Sequence, residues 1–113
     1  MSAITSHVLD TALGRPAENL VVRLEFCDVD GVFQPLAERA TDYQGRIADF
    51  LPAGVLEAGI YRLVFDTQSY FAAGLRTTFY PRIEIVFRVA APEEHYHVPL
   101  LLSPFGYSTY RGS

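Results

Sequence analysis

The 113 residues are half hydrophobic and include 8 Phe and 7 Tyr, enough to pack one core over 1–113 as a single domain without disulfides or metal, and a net charge of −4 is too small for disorder. All nine basic residues are Arg, which excludes a Schiff-base lysine and a phosphate-loop lysine; their scatter along the chain argues against a nucleic-acid footprint, and no apolar run is long enough to span a bilayer. The lone Cys27 reads as a small buried hydrophobe that cannot form an internal disulfide, and Met1 to Ser6 lacks the parts of a secretory signal, so the expected compartment is a reducing one, most simply the cytoplasm.

Period-two alternation then recurs along the chain. Strands are expected near 4–9, 20–26, 32–39, 46–50, 60–66, 82–90, 95–102 and 107–111. Leu20, Val22, Leu24 and Phe26 share one face and Val21, Arg23 and Glu25 the other; Tyr61, Leu63 and Phe65 alternate with Arg62, Val64 and Asp66, and Ile83, Ile85, Phe87 and Val89 with Arg82, Glu84, Val86 and Arg88. Turn signals at Asp30-Gly31, Gln44-Gly45, Pro52-Ala53-Gly54 and Ser103-Pro104-Phe105-Gly106 separate the runs. Only 67–73 reads as helix, with an Asp66/Thr67 cap and a stop at Gly74. The expected fold is all-β: an eight-stranded sandwich with one short helix. Outward Val86 and the apolar run Val98 to Leu102 point to a covered second sheet face, and in so short a chain the natural cover is another copy of itself.

The chemistry-bearing residues begin with the histidines. His7 falls in the first strand, and His95 and His97, two apart in the seventh, point the same way if that strand is regular. Pro99 reads as the mark of an edge or a bulge beside them. A histidine in a strand is more often structural than catalytic. The His-x-His pair with His7 could hold zinc, but lacks acidic or Cys ligands to complete the set. Gly45-Arg46 reads by spacing alone as a hairpin turn with a solvated Arg. Tyr110-Arg111-Gly112-Ser113 is either a frayed tail or, given the β-prone aromatic segment before it, an anchored end.

Ser6-His7-Val8-Leu9-Asp10 with Gly14-Arg15-Pro16-Ala17 resembles the opening signature of the transthyretin-like family, and His97 through Ser113 resembles its closing signature. Gly59-Ile60-Tyr61 and Asp66-Thr67-Gln68-Ser69-Tyr70 match its interior, so the resemblance covers essentially the whole chain in order. The terminal Tyr-Arg-Gly-Ser, with His97 and Arg46, resembles the hydrolase branch, whose members convert 5-hydroxyisourate to 2-oxo-4-hydroxy-4-carboxy-5-ureidoimidazoline in urate degradation. Hormone-carrying members lack those features.

The resemblance implies a transthyretin-like eight-stranded sandwich and a homotetramer, a dimer of dimers, with active sites in the channel between dimers. It assigns His7, Arg46, His97 and Ser113 to catalysis and His7, Arg46 and Tyr110 to substrate contact, with no cofactor and no metal; His95 is left as support. Opening the six-membered ring of such a substrate needs water to attack a carbonyl carbon while a ring nitrogen leaves. Two imidazoles suit the base and acid roles, because their proximity keeps at least one neutral at pH 7. Arg46 suits the developing oxyanion, while Ser113 and Tyr110 orient substrate or water. The competing expectations are a non-catalytic small-ligand carrier and a structural interaction domain, since a fold alone excludes neither.

Overall fold

The computed structural model describes residues 3–52 and 54–113; Met1 and Ser2 of the N-terminal stretch, and Ala53 of the Pro52-Ala53-Gly54 turn, lie outside the described residues. The strands are β1 (Ile4–Asp10), β2 (Arg15–Pro16), β3 (Val21–Cys27), β4 (Phe33–Ala40), β5 (Arg46–Ile47), β6 (Gly59–Phe65), β7 (Ile83–Val89), β8 (Tyr96–Ser103) and β9 (Gly106–Thr109), with one helix, α1 (Thr67–Ala73). They form two sheets, one in the order β2-β1-β8-β9 with β5 also on β1, the other β4-β3-β6-β7.

All eight expected strands are present within a few residues of their places. The two-residue β2, which pairs Leu9 with Pro16, is an addition. The expected 46–50 strand keeps only Arg46 and Ile47. Beyond them the chain leaves β1 to drop the Phe50 ring into the core, where it is 1% exposed, and the Asp49 carbonyl accepts from Arg39 Nε at 3.0 Å. The helix matches its expected bounds: the Asp66 carboxylate accepts from Ser69 N–H at 3.1 Å, and Gly74 caps the other end.

Alternation delivers the core as expected, with Leu20, Val22, Leu24, Leu63, Phe65, Leu100 and Leu102 fully buried between the sheets. Among the positions that differ from expectation are two in β3. Glu25, on the outward face, is buried because Arg23 and Arg62 grip its two oxygens at 2.7 and 2.6 Å. Cys27 ends β3 only partly buried.

Pro99 marks neither an edge nor a bulge, because β8 lies between β1 and β9. The pairing Leu100↔Thr109 resumes in the same register three residues on, at His97↔Gly112. What Pro99 removes is the N–H that would serve Tyr110, so the ladder stops at Thr109, whose hydroxyl donates to the Pro99 carbonyl at 2.7 Å instead.

The chain's two ends meet through the parallel pair β1–β8, where Thr5 lies opposite His97 and His7 opposite Pro99. At the far end of β1, Asp10 is completely buried and accepts from Arg76 Nη2 at 2.5 Å, the Tyr70 hydroxyl at 2.7 Å and Leu13 N–H at 3.0 Å. Burial alone would raise its carboxyl, but these donors outweigh that and hold it below the usual carboxylate range; burial and Asp10 push Tyr70 up to about 12. Asp10→Ala leaves a partly buried guanidinium and phenol without their shared acceptor. A loss of about 3 kcal/mol is expected, the low end for removing one partner of a buried pair, read as a lower urea midpoint at unchanged m-value. A loss below about 1 kcal/mol, the worth of a surface pair, would deny the cluster this role.

Candidate active site

Each expected site residue is placed by a local device. Arg46 follows a turn closed by Asp42, whose carboxylate accepts from the N–H groups of Gln44 and Arg46, both at 2.9 Å. Gly45 has φ +74°, and a Cβ there would run into the Val8 carbonyl oxygen, so the position requires glycine. The Gly45 carbonyl in turn accepts from Val8 N–H at 2.8 Å, and the pair His7↔Arg46 then sets β5 against β1. The tail is anchored rather than frayed: Gly112 N–H donates to the His97 carbonyl at 2.8 Å, and Arg111 Nη2 donates to the His95 carbonyl at 3.2 Å and to Glu94 at 3.0 Å.

These devices bring Arg46, His95, His97 and Ser113 to the lining of one cleft of about 200 Å³, together with Thr5. His7 lies beside it on β1, on the same face as Thr5 by strand alternation. Tyr110 is on the other side of His97, in an apolar hollow of about 310 Å³ shared with Val86, Phe87 and Tyr96. Of the expected site residues, Arg46, His97 and Ser113 thus line the first cleft, His7 and Tyr110 lie outside its lining, and His97 belongs to both hollows. Two larger hollows, over the charged face of the four-stranded sheet and beside α1, contain no histidine. Among the described residues no three His, Cys, Asp or Glu side chains group closely enough to hold a metal ion.

Sequence reasoning left out Thr5. Its hydroxyl lies 2.7 Å from His97 Nδ1 and 3.1 Å from His95 Nε2. The signal available was its spacing, two residues before His7 in a strand, but a threonine in a strand is otherwise unremarkable. The His95 and His97 rings do share a face as the i, i+2 spacing requires, 6.4 Å apart and 13° from parallel.

Burial, then the positive neighbours His7, His95 and Arg46, hold the His97 imidazole below its ordinary 6.5. The ring is accordingly a neutral base at pH 7. The ring itself therefore stays unprotonated as pH falls through 6.5 and takes up its second proton only at its own lower value. Protonation of the His97 ring, followed through its ring-nitrogen shifts, is thus expected below pH 6.5; protonation at or above that value would contradict a His97 base.

The profile of the HIUase/Transthyretin family matches residues 4–112. A 5-hydroxyisourate hydrolase of Mus musculus is 42% identical, the alignment covering 99% of this chain and 96% of that protein. The structure of Klebsiella pneumoniae 5-hydroxyisourate hydrolase superposes with a TM-score of 0.85 at 39% identity, covering 97% of this chain and 98% of that one. Sea bream transthyretin, solved in complex with thyroxine, superposes with a TM-score of 0.92 at 34% identity, covering 98% and 95%. Backbone likeness thus extends to both branches, while sequence identity is higher to the hydrolases. The sandwich is transthyretin-like, and the chain belongs to the HIUase/Transthyretin family.

Proposed function

We propose that this chain is a hydrolase of 5-hydroxyisourate, acting in urate degradation as one domain over its whole length. The observation that carries the reading is the convergence of residues far apart in sequence, Arg46, His97 and Ser113, on one cleft with His7 beside it, in a chain 42% identical to a named 5-hydroxyisourate hydrolase.

The chemistry follows from the groups. His97, neutral at pH 7, takes a proton from water through the ring nitrogen not bonded to Thr5, and the hydroxide equivalent adds to the ring carbonyl carbon. Charge builds on the carbonyl oxygen, where Arg46 donates. The carbon–nitrogen bond then breaks, His7 protonates the departing nitrogen, and a carboxylate remains. Ser113 orients water or substrate, and Tyr110 contacts the substrate from the adjoining hollow. No cofactor or metal is called for.

The chain works as a homotetramer, a dimer of dimers, whose channel brings facing subunits over these clefts. In its favour, β7 and β9 end their respective sheets, and Val86, Tyr107 and Tyr110 near those edges are 56%, 43% and 58% exposed. The compartment is the cytoplasm; no helix among the described residues is long and apolar enough to cross a membrane.

The test is spectroscopic. Fresh 5-hydroxyisourate made with urate oxidase should lose its ultraviolet band much faster with catalytic amounts of the protein, and a decay unchanged from the spontaneous rate would remove the hydrolase reading.

A further inference from the structure

Thr5 is a polar cleft residue for which the proposed reaction has no use. It is 7% exposed, and its hydroxyl touches both imidazoles of the His-x-His pair, at His95 Nε2 and His97 Nδ1. A hydroxyl has one hydrogen and two lone pairs; were both rings to donate to Oγ1, its own hydrogen would have no acceptor among the described residues in a buried side chain, so it donates to one ring and accepts from the other. Two arrangements result. In the first, His95 Nε2–H donates to Oγ1, Oγ1–H donates to His97 Nδ1, and the hydrogen of His97 sits on Nε2. In the second the direction reverses: His97 Nδ1–H donates to Oγ1, Oγ1–H donates to His95 Nε2, and His97 Nε2 is bare. A protonated His95 has no lone pair, so it permits only the first.

We propose that Thr5 and His95 form a tautomer switch for His97, in which protonation of His95 decides, through the Thr5 hydroxyl, which ring nitrogen of His97 carries the hydrogen. Going from the first arrangement with a charged His95 to the second, His95 Nε2 gives its hydrogen to Oγ1 and Oγ1 gives its own to His97 Nδ1. His97 Nε2 releases its hydrogen to water, so one proton leaves and His95 ends neutral. The bare-Nε2 form is the one that can act as base; the other can only donate. Thr5 and His95 are positioning residues, and the consequence for turnover rests on the proposed reading of His97.

The surroundings suit such a device. His95 is exposed in the protomer, open to protons from water, while its backbone is fixed by Arg111. His97 is held below the ordinary imidazole value, so it stays neutral over a range in which its tautomer can be read. The charged and titratable groups around the pair are His7 on β1, Arg46 on β5, Glu94 and Arg111 beside His95, and Arg88 and Tyr110 across the apolar hollow, with Ser113 in the cleft.

Long-range proton–nitrogen correlations of the imidazoles, recorded from about pH 5 to 8, test the switch directly. In the unsubstituted protein the two ring-nitrogen shifts of neutral His97 should change over as His95 loses its proton, His95 being assigned by its absence in His95→Gln. Thr5→Val keeps the shape and removes the hydroxyl, and the His97 tautomer should cease to follow His95; in Thr5→Ser it should still follow. A His97 tautomer that stays constant while His95 titrates overturns the proposal, as does Thr5→Val behaving like the unsubstituted protein, or Thr5→Ser behaving like Thr5→Val. With 5-hydroxyisourate, Thr5→Val should lower kcat by about tenfold or more at little change in KM, as expected for a base in the wrong tautomer. An unsubstituted protein that leaves 5-hydroxyisourate untouched would refute the functional reading, while the nitrogen spectra would still decide the switch.

Discussion

Arg46→Ala is expected to lower kcat for 5-hydroxyisourate by roughly a hundred- to a thousandfold while the protein stays folded. The size follows from the charge that must be met: one preorganised donor at a developing oxyanion is worth about 2.7–4 kcal/mol in the transition state. Arg46 is exposed, and among the described residues its guanidinium forms no ion pair, so the substitution removes a charge that faces the cleft without stranding a partner. Its backbone, not its side chain, holds β5 to β1, and the Asp42 turn survives the change. Arg46→Lys keeps the charge but not the fork and should fall between. A second signature separates electrostatics from damage. Arg46 is one of the neighbours holding His97 down, so its loss should move protonation of the His97 ring to higher pH, read in its ring-nitrogen shifts. A fall in kcat under about fivefold, with the His97 protonation unmoved, would sink the oxyanion role, because a donor of this kind is worth far more.

The frame of this site was legible in the sequence and its wiring was not. Period two gave the strands because burying one sheet face imposes it, and β1, β3, β6 and α1 fall within a residue of expectation. The same rule put His95 and His97 on one face. It failed at Glu25, since alternation specifies a face but not whether two arginines from that face will close over it. It also misjudged Pro99: a missing N–H is visible in sequence, but whether it faces solvent or a neighbouring strand depends on sheet order, which is a long-range outcome. Arg46, by spacing, looked like a solvated turn residue. Only the resemblance to a known family singled it out, because nothing local says that the turn at 42–46 will lie against β1 beside His7. Thr5 was invisible for the same reason, as its partners are 90 and 92 residues away along the chain.

Gly112→Ala should cost about a hundredfold in kcat with little change in thermal midpoint, although the added group is a single methyl. A Cβ on Gly112 would sit 2.5 Å from His97 Cδ2, closer than carbon atoms approach one another, and a tight 3.3 Å from both His97 Cγ and Pro99 Cγ. Something must move, and every choice harms the cleft. If the ring yields, His97 leaves its 2.7 Å contact with Thr5; if the tail yields, the Gly112 N–H to His97 carbonyl bond breaks and Ser113 goes with it. A displacement near 1 Å at a reacting group is enough for about a hundredfold. Stability should barely change, because Gly112 lies beyond β9 and outside the buried core between the sheets. Gly106→Ala is the matched control: at the start of β9 its Cβ meets only Ser103 Oγ, at 3.8 Å, and activity should stay within about twofold. Ring-proton shifts of His97 tell the two routes apart, moving if the imidazole yields and staying if the tail does. An alanine variant retaining kcat within about threefold would mean that neither the His97 ring nor the chain end needs the placement seen here, and the cleft would lose its claim to the chemistry.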